Sequence, residues 1–136
     1  MKHIVYRSGY KHQLAEHYQD IVEIYPEREI KSEFYQLTPN GILLVKQGYA
    51  WDGASGPAID TKDFMRGSLV HDVLYQMMGE RQLELKWRKQ ADKELVRICG
   101  EDGMPFIRRQ WVYSAVRLFS ELSARPEGRR TIKKAP

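Results

Sequence analysis

The pattern of apolar and polar residues changes character once along the chain of 136 residues. From His3 to about Tyr49 the sequence is rich in Tyr, Ile, Val and Phe with broken alternation, which is typical of short strands. The segment LTPNGILLV places a Pro-Asn-Gly turn between two extended runs. These features predict an antiparallel meander with a hairpin at Thr38 to Gly41. Residues 48–61, with three glycines and a proline, predict a loop.

Beyond this loop the spacing of apolar residues becomes helical. The first predicted helix has Thr61 or Asp63 as its N-cap and runs to about Met78. The second, LELKWRKQADKELVRICG, ends at Gly100, and the third begins with Pro105. The third helix carries an apolar stripe that we predict to face the core: Ile107, Trp111, Ala115, Leu118 and Leu122. We predict that Trp87, in the second helix, is also a core residue.

The predicted fold class is therefore α+β: a small antiparallel sheet, a glycine-rich loop and three helices. An apolar content of 42% and a length of 136 residues fit one domain, which we predict over residues 1–124. Residues 125–136 are predicted to form a basic, flexible tail.

Charge and cysteine usage narrow the classes of function. The net charge of +4 favours acidic partners only weakly, and Arg108, Arg109 and Arg117 are expected on a solvated face, so nucleic-acid binding is disfavoured. The single cysteine, Cys99, excludes a scaffold held by intrachain disulfides and is expected to be a buried thiol. No signal peptide or membrane span is predicted, so we expect synthesis and folding in a bacterial cytoplasm.

Candidate chemistry begins with the His71–Asp72 pair in the segment GSLVHDVLYQ. At about 100° per residue, one face of the first helix collects His71 with apolar and small polar neighbours, and the opposite face is apolar as well. The residues on the face of His71 are Phe64, Ser68, Leu74, Tyr75 and Met78. His71 is therefore predicted to be buried, with Asp72 beside it.

The second helix carries charged residues inside its own apolar stripe. The residues on that face are Leu85, Arg88, Asp92, Leu95, Val96 and Cys99. An Arg88–Asp92 pair within the helix would contribute only about 0.3 to 0.5 kcal/mol, too little to offset two desolvated charges. We therefore predict a larger network, in which antiparallel packing lets Asp92 reach a ring nitrogen of His71 and fix its tautomer.

Asp72 and the glycine-rich loop suggest a site for a hard cation. Calcium binds carboxylate and backbone oxygens together, and a bound calcium ion would stabilise the oxyanion of a substrate while His71 activates water. This combination predicts hydrolysis without a covalent intermediate.

The motifs HDVLY and, about twenty residues later, ADKEL, with a Gly-Pro loop upstream, resemble phospholipase A2, especially the disulfide-free form of parvovirus capsid proteins. The resemblance covers about Gly48 to Cys99. It implies His71 as general base with Asp92 as its partner and Tyr75 as a supporting hydrogen-bond donor. The calcium ligands that it implies are Asp72 and the backbone carbonyls of Trp51, Gly53 and Ser55 or Gly56.

The loop YAWDGASGP departs from the phospholipase pattern by the additional carboxylate of Asp52. Taken alone, Asp52 is expected to cap backbone groups of the loop. We predict Arg88, Asp52 and Ser68 as the polar network that supports the site.

A second resemblance spans more of the chain, from about Ile30 to Leu95. The segments GYAWDGASGP and SLVHDVLY, followed by an arginine and AD on the next helix, resemble a family of small phage and prophage proteins, the domain of unknown function 1353. This resemblance implies a phage setting, near tail, baseplate or lysis genes.

Two hypotheses follow. The first is a phage or prophage protein, carried in the virion, that hydrolyses an ester of host-envelope lipid with a calcium-dependent His/Asp centre. The second is a virion structural or assembly protein of the tail, baseplate or connector, in which the same network only stabilises the fold. The expected partners are other virion proteins or envelope lipid, and a homo-oligomer is compatible with both hypotheses.

Overall fold

The computed structural model of the protein describes residues 3–7, 12–51 and 61–119. Strands occupy the N-terminal half and helices follow, so the predicted α+β class is confirmed. The strands are β1 (Tyr6–Arg7), β2 (His12–Leu14), β3 (Tyr18–Ile21), β4 (Ile30–Lys31), β5 (Tyr35–Leu37), β6 (Ile42–Val45) and β7 (Ala50–Trp51). The helices are α1 (Lys62–Gly79), α2 (Arg88–Glu101) and α3 (Phe106–Phe119), and a 3₁₀ turn, Leu85–Trp87, leads into α2. The predicted tail, residues 125–136, lies outside the described residues.

The described strands form two small antiparallel sheets rather than the single sheet that we predicted. One has the order β1-β2-β7 and the other β3-β6-β5-β4. The predicted hairpin is confirmed: β5 pairs with β6, and the amide of Gly41 donates to the Thr38 carbonyl over 3.0 Å. Gly41 has a φ of +87°, and a Cβ atom there would lie 2.2 Å from the Val22 carbonyl oxygen, so only glycine fits this turn. Within the predicted loop, Ala50 and Trp51 instead form strand β7, because they pair with β2.

Helix α1 is the centre of the fold. Of its 18 residues, 13 are buried, so nearly its whole circumference is covered, as the apolar pattern predicted. Its N-cap is Thr61, one of the two residues predicted. The largest core cluster joins α1 to the inward-facing strand residues, of which Tyr35, Leu37 and Leu43 are at most 1% exposed. Trp87 is partly buried against the same cluster.

Helices α1 and α2 run antiparallel and approach closely at Gly67. A Cβ atom on Gly67 would lie 3.0 Å from the Leu95 carbonyl oxygen and 3.0 Å from Cys99 Sγ. Cys99 is fully buried, as predicted, and burial raises the pKa of its thiol to about 12. This contact fixes how near the two helices can lie.

A buried arginine that the sequence did not reveal joins the sheet to both helices. Arg66, on α1, is 2% exposed, and its guanidinium contacts Tyr18 Oη at 2.9 Å and Asp20 Oδ2 at 3.2 Å on β3. It also pairs with Glu101 at 2.6 Å and Asp102 at 3.0 Å at the end of α2. Three carboxylates therefore compensate for the burial of this one cation.

The predicted orientation of α3 is wrong. Three residues of the stripe that we expected in the core are exposed: Ile107 by 82%, Trp111 by 47% and Leu118 by 71%. The buried residue is Val112, at 2%, and it packs with Phe64, Leu95 and Met104. Because adjacent residues of a helix are rotated by about 100° around its axis, the face of α3 that contains Val112 is rotated by that angle from the face that we predicted through Trp111. Leu122, the last residue of the predicted stripe, lies outside the described residues.

No described helix is long and apolar enough to span a membrane.

The Gly67 contact generates a prediction with a matched control. Gly67→Ala gains helix propensity but forces a methyl group against the Leu95 carbonyl, whereas at Gly100 the nearest atoms belong to the movable Arg109 side chain. We expect Gly67→Ala to have a free energy of unfolding at least about 1 kcal/mol below that of Gly100→Ala, measured by urea denaturation. Equal stability of the two variants would show that the helices do not depend on this close approach.

Candidate functional site

The carboxylate of Asp92, on α2, is the meeting point of all three helices described above. Its Oδ1 lies 2.6 Å from His71 Nε2 and accepts a hydrogen bond of 2.6 Å from the Tyr75 hydroxyl, both on α1. Its Oδ2 accepts from Arg117 Nη1, on α3, over 2.7 Å. Asp92 is 0% exposed, so these contacts are made away from bulk water. The antiparallel packing and the His71–Asp92 contact agree with the prediction.

His71 and Tyr75 reach the same carboxylate because they lie one turn apart on α1. Residues four apart share a helix face, and the two rings stack with centroids 4.2 Å apart and planes inclined by 32°. The His71 side chain is 7% exposed. The ring of His71 is thus held from one side by Tyr75 and from its edge by Asp92.

The charge of Asp92 determines which ring nitrogen of the neutral His71 carries the proton. Burial raises the pKa of Asp92, but the hydrogen bonds from His71, Tyr75 and Arg117 outweigh it and hold this pKa below its ordinary value. An ionised carboxylate only accepts hydrogen bonds, so His71 Nε2 carries a proton and donates. In the neutral ring Nδ1 is then unprotonated, and among the described residues nothing bonds to it.

Tyr75 and Arg117 complete the neutralisation of Asp92. Burial raises the pKa of the Tyr75 hydroxyl, which therefore stays protonated and donates. The hydrogen bond to Asp92 raises the pKa of Arg117. We expected Arg117 on a solvated face, but its side chain is only 29% exposed. A buried Asp92 requires a cation, so the sequence indicated that an arginine or lysine would contact it. The sequence did not indicate which arginine this would be.

Arg88 does not form the intrahelical pair with Asp92 that the simplest interpretation would require. Its Nη1 atom is buried and makes no hydrogen bond within the described part of the chain. The predicted larger network therefore exists, with Arg117 in the position that Arg88 would have taken.

Ser68 and Trp51 form a separate contact that fixes the start of the glycine-rich loop. The indole Nε1 of Trp51, on β7, donates to Ser68 Oγ over 3.0 Å, and that hydroxyl donates to the Met65 carbonyl over 2.8 Å. Ser68 thus fastens β7 to α1 and does not contact Asp92. Trp51, the last residue of β7, is thus held against the helix that carries His71.

The predicted calcium ligands are only partly among the described residues. Asp72 is partly buried on α1, next to His71, whereas Asp52, Gly53, Ser55 and Gly56 lie outside the described residues. Within residues 3–7, 12–51 and 61–119 no group of three or more His, Cys, Asp or Glu side chains is arranged to hold a metal. Calcium binds six to eight oxygens, so these side chains alone do not make a calcium site. The calcium ion and the roles assigned to the site residues stay predictions.

Comparison with known proteins places this site within a family. The family model described as protein of unknown function (DUF1353) matches residues 29–116. The chain belongs to the DUF1353 family. No curated protein and no solved structure matches it. The DUF1353 match contains His71, Tyr75 and Asp92, whereas Arg117 lies one residue beyond its end.

Because Asp92 is buried and paired in this DUF1353 protein, we predict that removing its charge lowers the stability of the fold strongly. Asp92→Asn leaves Arg117 and His71 without a carboxylate, and we expect a loss of about 3 to 5 kcal/mol in the free energy of unfolding at neutral pH. Glu84→Gln, at a side chain that is 62% exposed, is the control and should change it by at most about 0.5 kcal/mol.

The stability difference between wild type and Asp92→Asn, measured as a function of pH, tests the pKa of Asp92. Because its folded pKa lies below the ordinary value of 3.8, its contribution is complete above pH 3.8 and is lost as the pH falls below it. The difference between wild type and Asp92→Asn should shrink by up to about 1.4 kcal/mol for each pH unit below that value. A difference that is small at neutral pH, or that does not shrink in acid, would contradict the ion pairing.

Proposed function

We propose that this protein is a phage- or prophage-encoded hydrolase of carboxylic esters, in which His71 activates water and Asp92 holds His71. One observation supports the proposal: Asp92 Oδ1 lies 2.6 Å from His71 Nε2. Because an ionised carboxylate only accepts hydrogen bonds, Nε2 carries the proton and Nδ1 is left as the basic nitrogen of the neutral ring. Tyr75 and Arg117 keep Asp92 ionised, so its charge is available to stabilise the imidazolium that forms during catalysis.

In the proposed mechanism, His71 Nδ1 accepts one proton from a water molecule while the water oxygen bonds to the carbonyl carbon of the ester. The resulting tetrahedral intermediate expels the alcohol oxygen, which takes the proton back from Nδ1. The ester bond breaks, a carboxylic acid and an alcohol form, and His71 returns to its neutral state. Asp92 keeps its negative charge throughout.

Calcium dependence is a separable part of the proposal. Asp72 and the backbone carbonyls of Trp51, Gly53 and Ser55 are the groups proposed to hold the ion. When bound there, calcium would supply positive charge that stabilises the oxyanion of the intermediate.

The exposed face of α3 supports envelope lipid as the source of the ester. Its large apolar side chains stand in solvent, Phe106 by 62% and Ile107 by 82%, and the Arg109 guanidinium lies 5.6 Å from the Phe106 ring. Exposed apolar residues beside cations are typical of helices that lie on anionic lipid surfaces. The phage setting rests on the resemblance of GYAWDGASGP and SLVHDVLY to phage and prophage proteins.

A non-catalytic virion structural or assembly protein, of the tail, baseplate or connector, is the second candidate. It is favoured by the burial of the cluster, since His71 is 6% exposed and Asp92 0%. In that role the cluster would serve only to lock three helices together, and the apolar face of α3 would contact another virion protein or a second copy of this chain.

His71→Gln separates these functions, because the glutamine amide can still donate to Asp92 but cannot act as a base. We expect wild-type protein to release fatty acid from phosphatidylglycerol vesicles, and His71→Gln to do so at least about 100-fold more slowly. His3→Gln, at an exposed histidine, is the matched control and should leave the rate unchanged. No hydrolysis by folded wild-type protein, or an equal rate in His71→Gln, would overturn the enzymatic proposal and favour the structural one.

The calcium part is tested with the same vesicles and by calorimetric titration of calcium into the protein. We expect the wild-type rate to fall on chelation and to return with added calcium, and Asp72→Asn to lose calcium binding by at least about tenfold. If hydrolysis depends on His71 but persists in the presence of chelator, His71 remains the proposed base and the proposed calcium dependence is wrong.

A further inference from the structure

Helix α3 has an exposed apolar face in a positively charged surrounding. Ile107, Trp111 and Leu118 are spaced by four and seven residues, so they share one side of the helix, which we call the α3 face. They are exposed by 82%, 47% and 71%. Helix α3 contains three arginines and no acidic residue, so its electrostatic field is positive. A protein surface that fits the α3 face must therefore be apolar and acidic.

A second exposed apolar surface of the same protein is acidic. Residues 18–27 alternate strictly between buried and exposed positions, and the first four of them form β3, an edge strand of its sheet. Four of the exposed residues, which we call the acidic ridge, follow one another at every second position: Ile21, Glu23, Tyr25 and Glu27. Ile21 is 64% exposed and Tyr25 51%. The segment contains no lysine or arginine, and neither glutamate of the ridge forms an ion pair with another described residue.

We propose that the α3 face of one copy of this protein binds the acidic ridge of another copy. Both surfaces are apolar and their charges are opposite, so the contact buries apolar area and brings arginines close to carboxylates. A contact between two α3 faces, or between two acidic ridges, would instead bring like charges together.

The proposed contact is head-to-tail, because the two surfaces are different parts of the chain. Each copy that binds through its α3 face still has an acidic ridge for a further copy, and the reverse also holds. The contact therefore repeats, and it builds a ring or an open chain rather than a closed dimer.

An anionic lipid surface would also suit the α3 face, which is the role that the proposed function gives to this helix. Lipid would leave the exposed Ile21 and Tyr25 of the acidic ridge without a partner, whereas a second copy accounts for both surfaces. Assembly and lipid would compete for the α3 face. The inference goes beyond the proposed hydrolysis and does not depend on it.

The test uses two full-length variants, each of which retains one of the two surfaces. Ile107→Gln removes an apolar side chain from the α3 face, and Ile21→Gln removes one from the acidic ridge. Phe34→Gln is the matched control, since Phe34 is an apolar residue that is 38% exposed and belongs to neither surface. None of the three changes alters the net charge, and circular dichroism checks that each variant is folded. Sedimentation velocity measures association at low ionic strength, from about 1 μM to about 1 mM protein.

We expect wild type and Phe34→Gln to form species larger than a dimer as the concentration rises. Ile107→Gln and Ile21→Gln should each associate at least about tenfold more weakly, because a buried isoleucine is lost from the contact. An equimolar mixture of these two variants should form a dimer and nothing larger, since it contains one intact α3 face and one intact ridge per pair. Higher ionic strength should weaken the association of wild type, because opposite charges meet in the contact.

Three results would overturn the proposal. The first is a wild type that stays monomeric over this range, including one that binds phosphatidylglycerol vesicles as a monomer, which would assign the α3 face to lipid. The second is association of Ile107→Gln or Ile21→Gln alone that equals that of wild type. The third is a mixture of the two variants that associates no more strongly than either variant alone, because a head-to-tail contact requires that they complement each other.

Discussion

The burial of one charged carboxylate, that of Asp92, dictates how the helical half of this protein is assembled. A fully buried carboxylate without partners is very costly, so the fold is stable only when His71, Tyr75 and Arg117 all point at it. These donors come from two different helices, and a shift of either helix would leave the charge uncompensated. The requirement that aligns the helices also fixes the tautomer of His71, so a single constraint serves both stability and chemistry.

Arg66 imposes a comparable constraint nearer the N-terminal end of α1. There the buried charge is a cation, and its partners are Asp20 on β3 and the carboxylates at the end of α2. Between the two clusters the helices touch at Gly67, where a Cβ atom would lie only 3.0 Å from atoms of Leu95 and Cys99. Helix α1 is thus held at two charged positions and one close contact, which defines its position relative to both the strands and α2.

Local and periodic features of this chain could be predicted from the sequence, whereas long-range partners could not. The Pro-Asn-Gly turn, the extent of α1 and the His71–Asp92 contact followed from turn chemistry, helical spacing and the cost of buried charge. The Arg66–Asp20 pair joins residues 46 positions apart, and nothing local in the sequence marks it. Helix α3 has apolar residues on more than one side, so periodicity alone could not decide whether Val112 or Trp111 faces the core. Likewise, Asp92 required a cation, but Arg88 was the nearer arginine in sequence and Arg117 the one in contact.

We infer that Asp92 holds His71 with its proton on Nε2 and leaves Nδ1 as the acceptor. Nitrogen-15 NMR of the His71 ring, recorded where the imidazole is neutral, measures this directly. We expect a protonated Nε2 and an unprotonated Nδ1 in wild type, and we expect this preference to be lost when Asp92 is replaced by asparagine. A proton on Nδ1 in the wild-type protein, or the same tautomer in both proteins, would contradict it.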